Sequence, residues 1–441
     1  MALRNSRLLL IAFLSAGPLL AQNPTPLRLS FAEAVRRASG QSPAVELAGL
    51  RVDEARARIR QTRSALLPDF SATGGWLSQT VNPQTFGFKF PGLTLPRLLG
   101  PFDIYDARLH LTQAVVDFAG ASRVRAARSQ VTSSESDSGV ATEAAAQLTA
   151  VSYLRATRAQ AVVSARVADS MLAVELVRLA QAQKDAGVGT EIDVTRAQTQ
   201  LVTARGGLVV ARNELDRARI NLVRSLGLSS ETALELTDTL AAALASVDLP
   251  QDRAALVALA LTRRPDLQAE ASRGRAASQA AGAIAAERLP RLDLSANYGA
   301  NGLAPGSLIA TRFVALQVTV PILDGFRREG REAEQHAVVR ESEVRSAELQ
   351  RQIAADVDAA LLDLASAQQQ QAIAAERLRL AQQEVNQARE RFKAGVAGNI
   401  EVIDAQSSLV RARDTDIDAR FAAATARVAL ARAAGMAREL K

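Results

Sequence analysis

The stretch "RFKAGVAGNIEVIDAQSSLVRAR" (residues 391–413) decides how this chain folds, because it is written twice. "QKDAGVGTEIDVTRAQTQLVTAR" (183–205) matches it without a gap in the frame A-G-V-x-x-x-I-[DE]-V-x-x-A-Q, followed by L-V-x-A-R. In each copy a glycine, Gly187 or Gly395, interrupts a run of helix formers, and an acidic residue, Asp193 or Glu401, opens the next run. Glycine reaches the left-handed conformation that closes a helix, and carboxylates favour the positive N-terminal end of the following one. Each motif therefore predicts the tip of a helical hairpin.

Proline placement gives the length of the arms. Of 14 prolines, none lies between Pro101 and Pro250 and none after Pro321. Proline costs about 3 kcal/mol inside a helix, and the two silent regions are rich in Ala, Gln, Arg, Leu and Glu. Helices are predicted over 118–184 and 324–392, each on the order of 100 Å long at 1.5 Å per residue, returning as 191–226 and 399–436. Small residues such as Ala144, Ala145 and Ala146 suit close helix packing.

The repeat extends beyond the tips. "LPDFSATGGW" (67–76) matches "LPRLDLSANY" (289–298) at an offset of 222, as Pro43 matches Pro265. "LTQAVVDF" (111–118) matches "VTVPILDG" (318–325) at an offset of 207. The chain divides into a leader (1–21), an N-terminal segment with a short helix (22–43), a first unit (44–228), a linker (229–264) and a second unit (265–436). The drop in offset places extra residues of the first unit within 79–103, and an enlarged outer loop, a candidate lid, is expected there.

Between the helices the period changes from helical to alternating. In "RLHLTQAV", Leu109 and Leu111 oppose Arg108, His110 and Thr112; in "RLDLSANY", Leu292 and Leu294 oppose Asp293 and Ser295. In "FVALQVTV", Val314, Leu316 and Val318 share one side. These are strands with one apolar face, about 10 residues each, the length of a tilted membrane strand. They are predicted over about 68–78, 105–116, 290–300 and 311–320, and Leu109, Leu111, Leu292, Leu294, Val314, Leu316 and Val318 would face lipid. Eleven of the 16 aromatics lie in 68–118 and 290–326, among them Trp76, Phe86, Phe88, Phe90, Tyr105, Tyr298 and Phe313, as expected at membrane interfaces. A soluble hairpin with a buried apolar face fits the alternation alone. Four strands cannot close a membrane barrel, so spanning lipid requires several chains to share one. Twelve strands from three chains is geometrically comfortable, and eight or sixteen fit the same argument.

Composition narrows the function. The chain has 441 residues and no cysteine, which excludes disulfides and thiolate metal sites. Its two histidines, His110 and His336, are far apart, so no metal site or other cofactor is expected. The net charge is +7, but the arginines are interspersed with acids and form no basic block, which argues against nucleic acid as a partner. No phosphate-binding G-x-x-x-x-G-K-[ST] loop, catalytic cysteine or His-centred triad is present, so no enzyme is expected. Arg4 and Arg7, the apolar run Leu8–Leu14 and Ala21 read as a signal peptide with too short a core to span a bilayer.

The duplicated plan, the L-P segment before each strand pair, "LTQAVVDF" and "VTVPILDG", and "FKAGVAGNIEVIDAQ" (392–406) resemble the TolC-like outer membrane efflux protein family across essentially the whole chain past its leader. The resemblance implies a mostly α chain with a small transmembrane β part. It implies a homotrimer whose 12-stranded β-barrel, four strands per chain, continues into a long periplasmic α-helical barrel. A helical equatorial domain would form from residues near 30–40, the linker and the C-terminus, and short helices over about 44–66 and 266–288 would stack on the returning helices. The tips would meet a periplasmic adaptor protein linked to an inner-membrane transporter, with Gly187, Val188, Gly395 and Val396 as contact candidates. Glu401 and Asp404 match the family's pore-narrowing acids, and Asp193 is a third candidate, although Arg196 lies within pairing reach. Acids in a first helical turn also favour the helix dipole by about 0.3–1 kcal/mol without any pore. Some relatives carry a basic latch residue in the second tip, where "AGVAGN" is uncharged. The function implied is a passive exit duct in the outer membrane, extending into the periplasm. The alternative is a periplasmic coiled-coil adaptor or scaffold that never enters a membrane.

Overall fold

The computed structural model describes residues 26–86, 96–240, 249–250 and 252–441; the leader, Phe88 and Phe90 lie outside the described residues. The first copy comprises β1 (Leu27–Leu29), α1 (Phe31–Gln41), α2 (Pro43–Ser64), β2 (Asp69–Val81), β3 (Leu99–Val116), α3 (Phe118–Asp185) and α4 (Glu191–Ser225). Then follow β4 (Leu234–Leu236), α5 (Arg253–Arg263), α6 (Pro265–Ala285), β5 (Arg291–Gly302), β6 (Ile309–Thr319), α7 (Arg327–Lys393) and α8 (Asn399–Ala433).

The proline-silent regions became α3 and α7, of 68 and 67 residues. The prolines at the starts of α2 and α6 occupy the first helical position, where the missing N–H costs nothing. All four long helices close on a left-handed glycine: Gly187, Gly227, Gly395 and Gly435, with φ between 68° and 75°. At the first tip the Val188 N–H donates to the Gln183 carbonyl (3.0 Å) and the Gly187 N–H to Lys184 (2.9 Å); Val396 and Gly395 repeat the pattern on Arg391 and Phe392. These bonds satisfy the last carbonyls of each helix.

The returning helices run into the short ones. A Cβ on Gly227 would stand 2.6 Å from Cδ of Pro43, and one on Gly435 would stand 3.0 Å from the Arg264 backbone nitrogen. The end of α4 thus abuts the start of α2, and the end of α8 abuts the start of α6.

At this level β1 pairs in parallel with β4, and a buried cluster including Phe31, Tyr153, Leu154, Leu222 and Val428 ties α1, α3, α4 and α8 together. The Tyr153 hydroxyl shares its one proton between the Leu29 carbonyl (2.9 Å) and Asp238 Oδ2 (3.0 Å). Burial, reinforced by the Asp238 charge, pushes the Tyr153 phenol above its ordinary value. Glu143, fully buried, accepts from the Ala437 N–H (2.9 Å) and Arg438 Nε (2.7 Å), fastening the C-terminal segment to α3.

The other sheet is antiparallel, in the order β2-β3-β5-β6. It reaches further than the alternating pattern indicates. β2 continues to Val81 and β3 begins at Leu99, joined across a bulge between Gln79 and Val81. Part of the segment expected to be loop is therefore strand, followed by a short 3-10 turn at Pro83–Phe86.

Candidate functional site: a two-faced sheet and paired helix tips

Residues paired across a ladder share a face, so the register sorts the sheet. Phe70, Ala72 and Trp76 of β2 stand opposite Leu111, Leu109 and Tyr105 of β3. Leu109 and Leu111 stand opposite Tyr298 and Ala296 of β5. Leu292, Leu294 and Ala296 stand opposite Val318, Leu316 and Val314 of β6. All seven residues expected to face lipid thus lie on one face. It is well exposed in a single chain: Phe70 is 75% accessible, Trp76 63%, Val314 70% and Leu316 64%. From Phe70 to Trp76 the face extends about 20 Å at 3.3 Å per residue. The charges on it, Arg312 opposite Tyr298 and Asp103 opposite Ser78, lie towards the hairpin ends.

The reverse face is polar. Thr73 Oγ1 lies 3.0 Å from His110 Nε2; Arg108 donates through Nε to Asp106 (2.7 Å) and through Nη1 to Asn297 Oδ1 (3.2 Å). Phe313, between Val314 and Arg312, and towards the far end Phe102 and the Leu77–Ile104 pair are apolar exceptions on this side. Among the described residues β2 and β6 each have a partner on one side only, so both sheet edges are open. Among the described residues no helix is long and apolar enough to cross a membrane.

At the opposite end α3, α4, α7 and α8 converge on a buried cluster that includes Leu176, Val194, Val385, Phe392, Val402 and Leu409. Two side chains bridge the hairpins: Gln183 Nε2 donates to the Phe392 carbonyl (2.6 Å), and Asn399 Nδ2 donates to the Asp193 carbonyl (2.8 Å). Beyond them Gly187, Val188, Gly395 and Val396 project as two adjacent turns, with Val188 76% and Val396 72% exposed.

The three candidate acids have different surroundings. Asp193 reaches back over its own helix start, its Oδ2 accepting from both the N–H (3.1 Å) and the hydroxyl of Thr190. It does not pair with Arg196. Glu401 pairs with Arg391 Nε at 3.0 Å, across the turn. Asp404 is exposed and has no ion pair among the described residues. Above the tip, buried Asp169 joins Arg166 (3.1 Å) and Arg413, while Arg166 also holds Asp414 (2.7 Å), linking α3 to α8. Among the described residues no group of three His, Cys, Asp or Glu could hold a metal.

Sequence reading missed Gln183, Asn399 and Arg391. The first two contact residues about two hundred positions away, and neither position differs in type from the many exposed amides of these helices. Arg391 was findable: it stands ten residues before Glu401 across a tight turn.

Comparison with known proteins agrees with this architecture. A family profile described as Outer membrane efflux protein matches residues 34–228 and 256–436. The chain is 27% identical to Protein CyaE of Bordetella pertussis over 416 residues, 92% of this chain and 84% of that one. It is 25% identical over 264 residues to Outer membrane efflux protein BepC of Brucella suis, 59% of this chain and 56% of BepC; the match spans about half of BepC. Among solved structures, the outer membrane protein VceC of Vibrio cholerae shares the fold with a TM-score of 0.74 and 20% identity, over 92% of this chain and 96% of that one.

Proposed function

Because this chain belongs to the outer membrane efflux protein family, we propose that three copies close a 12-stranded barrel and continue it inward as a helical tunnel, a passive duct for export. The protein is placed in the outer membrane and reaches into the periplasm. The observation that carries the trimer and the duct is the sheet: one apolar face, one polar face and two open edges. In lipid an unpaired edge costs several kcal/mol for each orphaned backbone group. Pairing β6 of one copy with β2 of the next removes both edges. It turns the apolar face to lipid and the His110–Thr73 and Arg108–Asp106 groups to a water-filled lumen.

At the far end three copies would bring three Asp404 and three Glu401 carboxylates around one axis. Like charges gathered on an axis favour cations. Asp404, with no ion pair among the described residues, carries more of that effect than Glu401, and Asp193 serves as a helix cap. The exposed turns at Val188 and Val396 are where a periplasmic adaptor, itself linked to an inner-membrane transporter, would dock.

The test is mass and conductance. Purified protein in detergent should have the protein mass of three chains and should open ion-conducting pores in a planar bilayer. A stable monomer recovered from the soluble periplasm would instead identify a scaffold that does not enter the membrane.

A further inference from the structure

The duplicated units also differ at the root, where each returning helix abuts a short helix. In the second copy the position before Pro265 is Arg264, only 5% exposed. Its guanidinium donates to Asp266 (2.5 Å) and Asp356 (2.6 Å). Burial works against the Asp266 charge, but the hydrogen bonds and charge of Arg264, aided by Arg432, hold its carboxyl below the ordinary value. This root neutralises itself.

The first copy lacks those acids. Aligned on Pro43 and on the tips, Arg264 becomes Ser42, Asp266 becomes Ala44, Asp356 becomes Leu148 and Asp363 becomes Arg155. Arg432 is retained as Arg224, and Thr425 becomes Arg217. A cavity of about 730 Å³ opens there, lined by Ser42, Ala44, Leu148, Arg155, Arg217 and Arg224, with Glu214 also in its wall. Among the described residues none of the three arginines has an ion pair. Ser42 is 2% exposed, and its hydroxyl has no hydrogen-bond partner among the described residues although it sits at the N-terminus of the 22-residue α2.

We propose that this cavity is a binding site for a small oxyanion, a carboxylate- or phosphate-bearing solute, which takes the place filled by Asp266 and Asp356 in the second copy. Three arginines against one glutamate give the wall a net positive charge. The positive end of α2 and the Ser42 hydroxyl add a dipole and a donor at its floor. The volume lies within the roughly 300–1,000 Å³ of small-molecule sites. The inference stands apart from the export reading, since it concerns one root within one chain.

Inorganic phosphate is the probe, added to the full-length protein in detergent against sodium chloride of equal ionic strength. Saturable binding by calorimetry is expected, with a rise in the unfolding midpoint. Arg217→Gln with Arg224→Gln should weaken it by about tenfold or more, the loss expected from removing a charge-assisted contact. Leu148→Asp rebuilds the carboxylate of the second copy. It should abolish phosphate binding while leaving the fold intact, which separates loss of the site from loss of the protein. Binding that survives Leu148→Asp would overturn the assignment. So would wild-type protein with no saturable response, the outcome expected if a carboxylate of a neighbouring copy already fills the cavity.

Discussion

The two hairpin tips carry the same glycine and the same acidic helix start, yet their carboxylates are used differently. At the first tip Asp193 turns back onto Thr190 and completes a capping box. At the second tip the N-cap is Gly398, which has no side chain to offer. Glu401 instead reaches across the turn to Arg391, and Asp404 is left exposed with no ion pair among the described residues. A shared motif therefore specifies where the chain reverses and not what its acids do. That is settled by the neighbouring residue, threonine in one copy and glycine in the other. Asn399 reinforces the asymmetry: the second tip donates a side-chain bond to the Asp193 backbone of the first.

The sharpest test of how far the tips are equivalent concerns their cores. Val194 and Val402 occupy matching positions and are 3% and 0% exposed. Truncating either to alanine should cost about 1.5–2.5 kcal/mol from lost methyl burial and the cavity left behind. Comparable drops in the thermal midpoint would show that the tips share one packed core. Gly187→Ala and Gly395→Ala come next. Both positions have positive φ, and a Cβ added at either would meet no atom within 4 Å, so each should cost about 1–2 kcal/mol of backbone strain alone. A much larger cost at one tip would mean that its turn is pressed against something the other lacks.

The tips should part company in the third test. Asp193→Ala removes a cap worth about 1 kcal/mol, so amide exchange over residues 190–194 should quicken roughly fivefold. Glu401→Ala breaks an exposed pair and should change exchange at the second tip by less than about twofold, within about 0.5 kcal/mol. Asp404→Asn should leave stability unchanged and act on conduction alone, lowering the preference for cations over anions measured from reversal potentials. An unchanged preference would remove Asp404 from the proposed pore.

Much of this fold was legible because its strongest signals are local. Proline silence outlines α3 and α7, a glycine closes each helix, and alternation of Leu109, Leu111, Leu292 and Leu294 sorts the faces of the sheet. The extension of β2 to Val81 and β3 back to Leu99 was not legible, because the prolines and glycines of 79–103 have the composition of a loop. The tip contacts were hidden for another reason. Gln183 and Asn399 act on backbone carbonyls of the opposite hairpin, so their partners carry no side-chain signature. The different duties of Asp193 and Glu401 depend on Thr190 and Gly398, one residue before helices that otherwise match.

The bare apolar face also bears on how the protein is made. A newly exported copy can fold its helical hairpins alone, since their cores are internal to the chain. If the proposed barrel is right, its sheet has nowhere to put the exposed Phe70, Trp76 and Val314 until other copies and a bilayer arrive together. Maturation should therefore proceed from shaft to rim, with the last step depending on how many copies are present. A pulse of synthesis followed by protease challenge would reveal this as early protection of the helices and late, concentration-dependent protection of the strands.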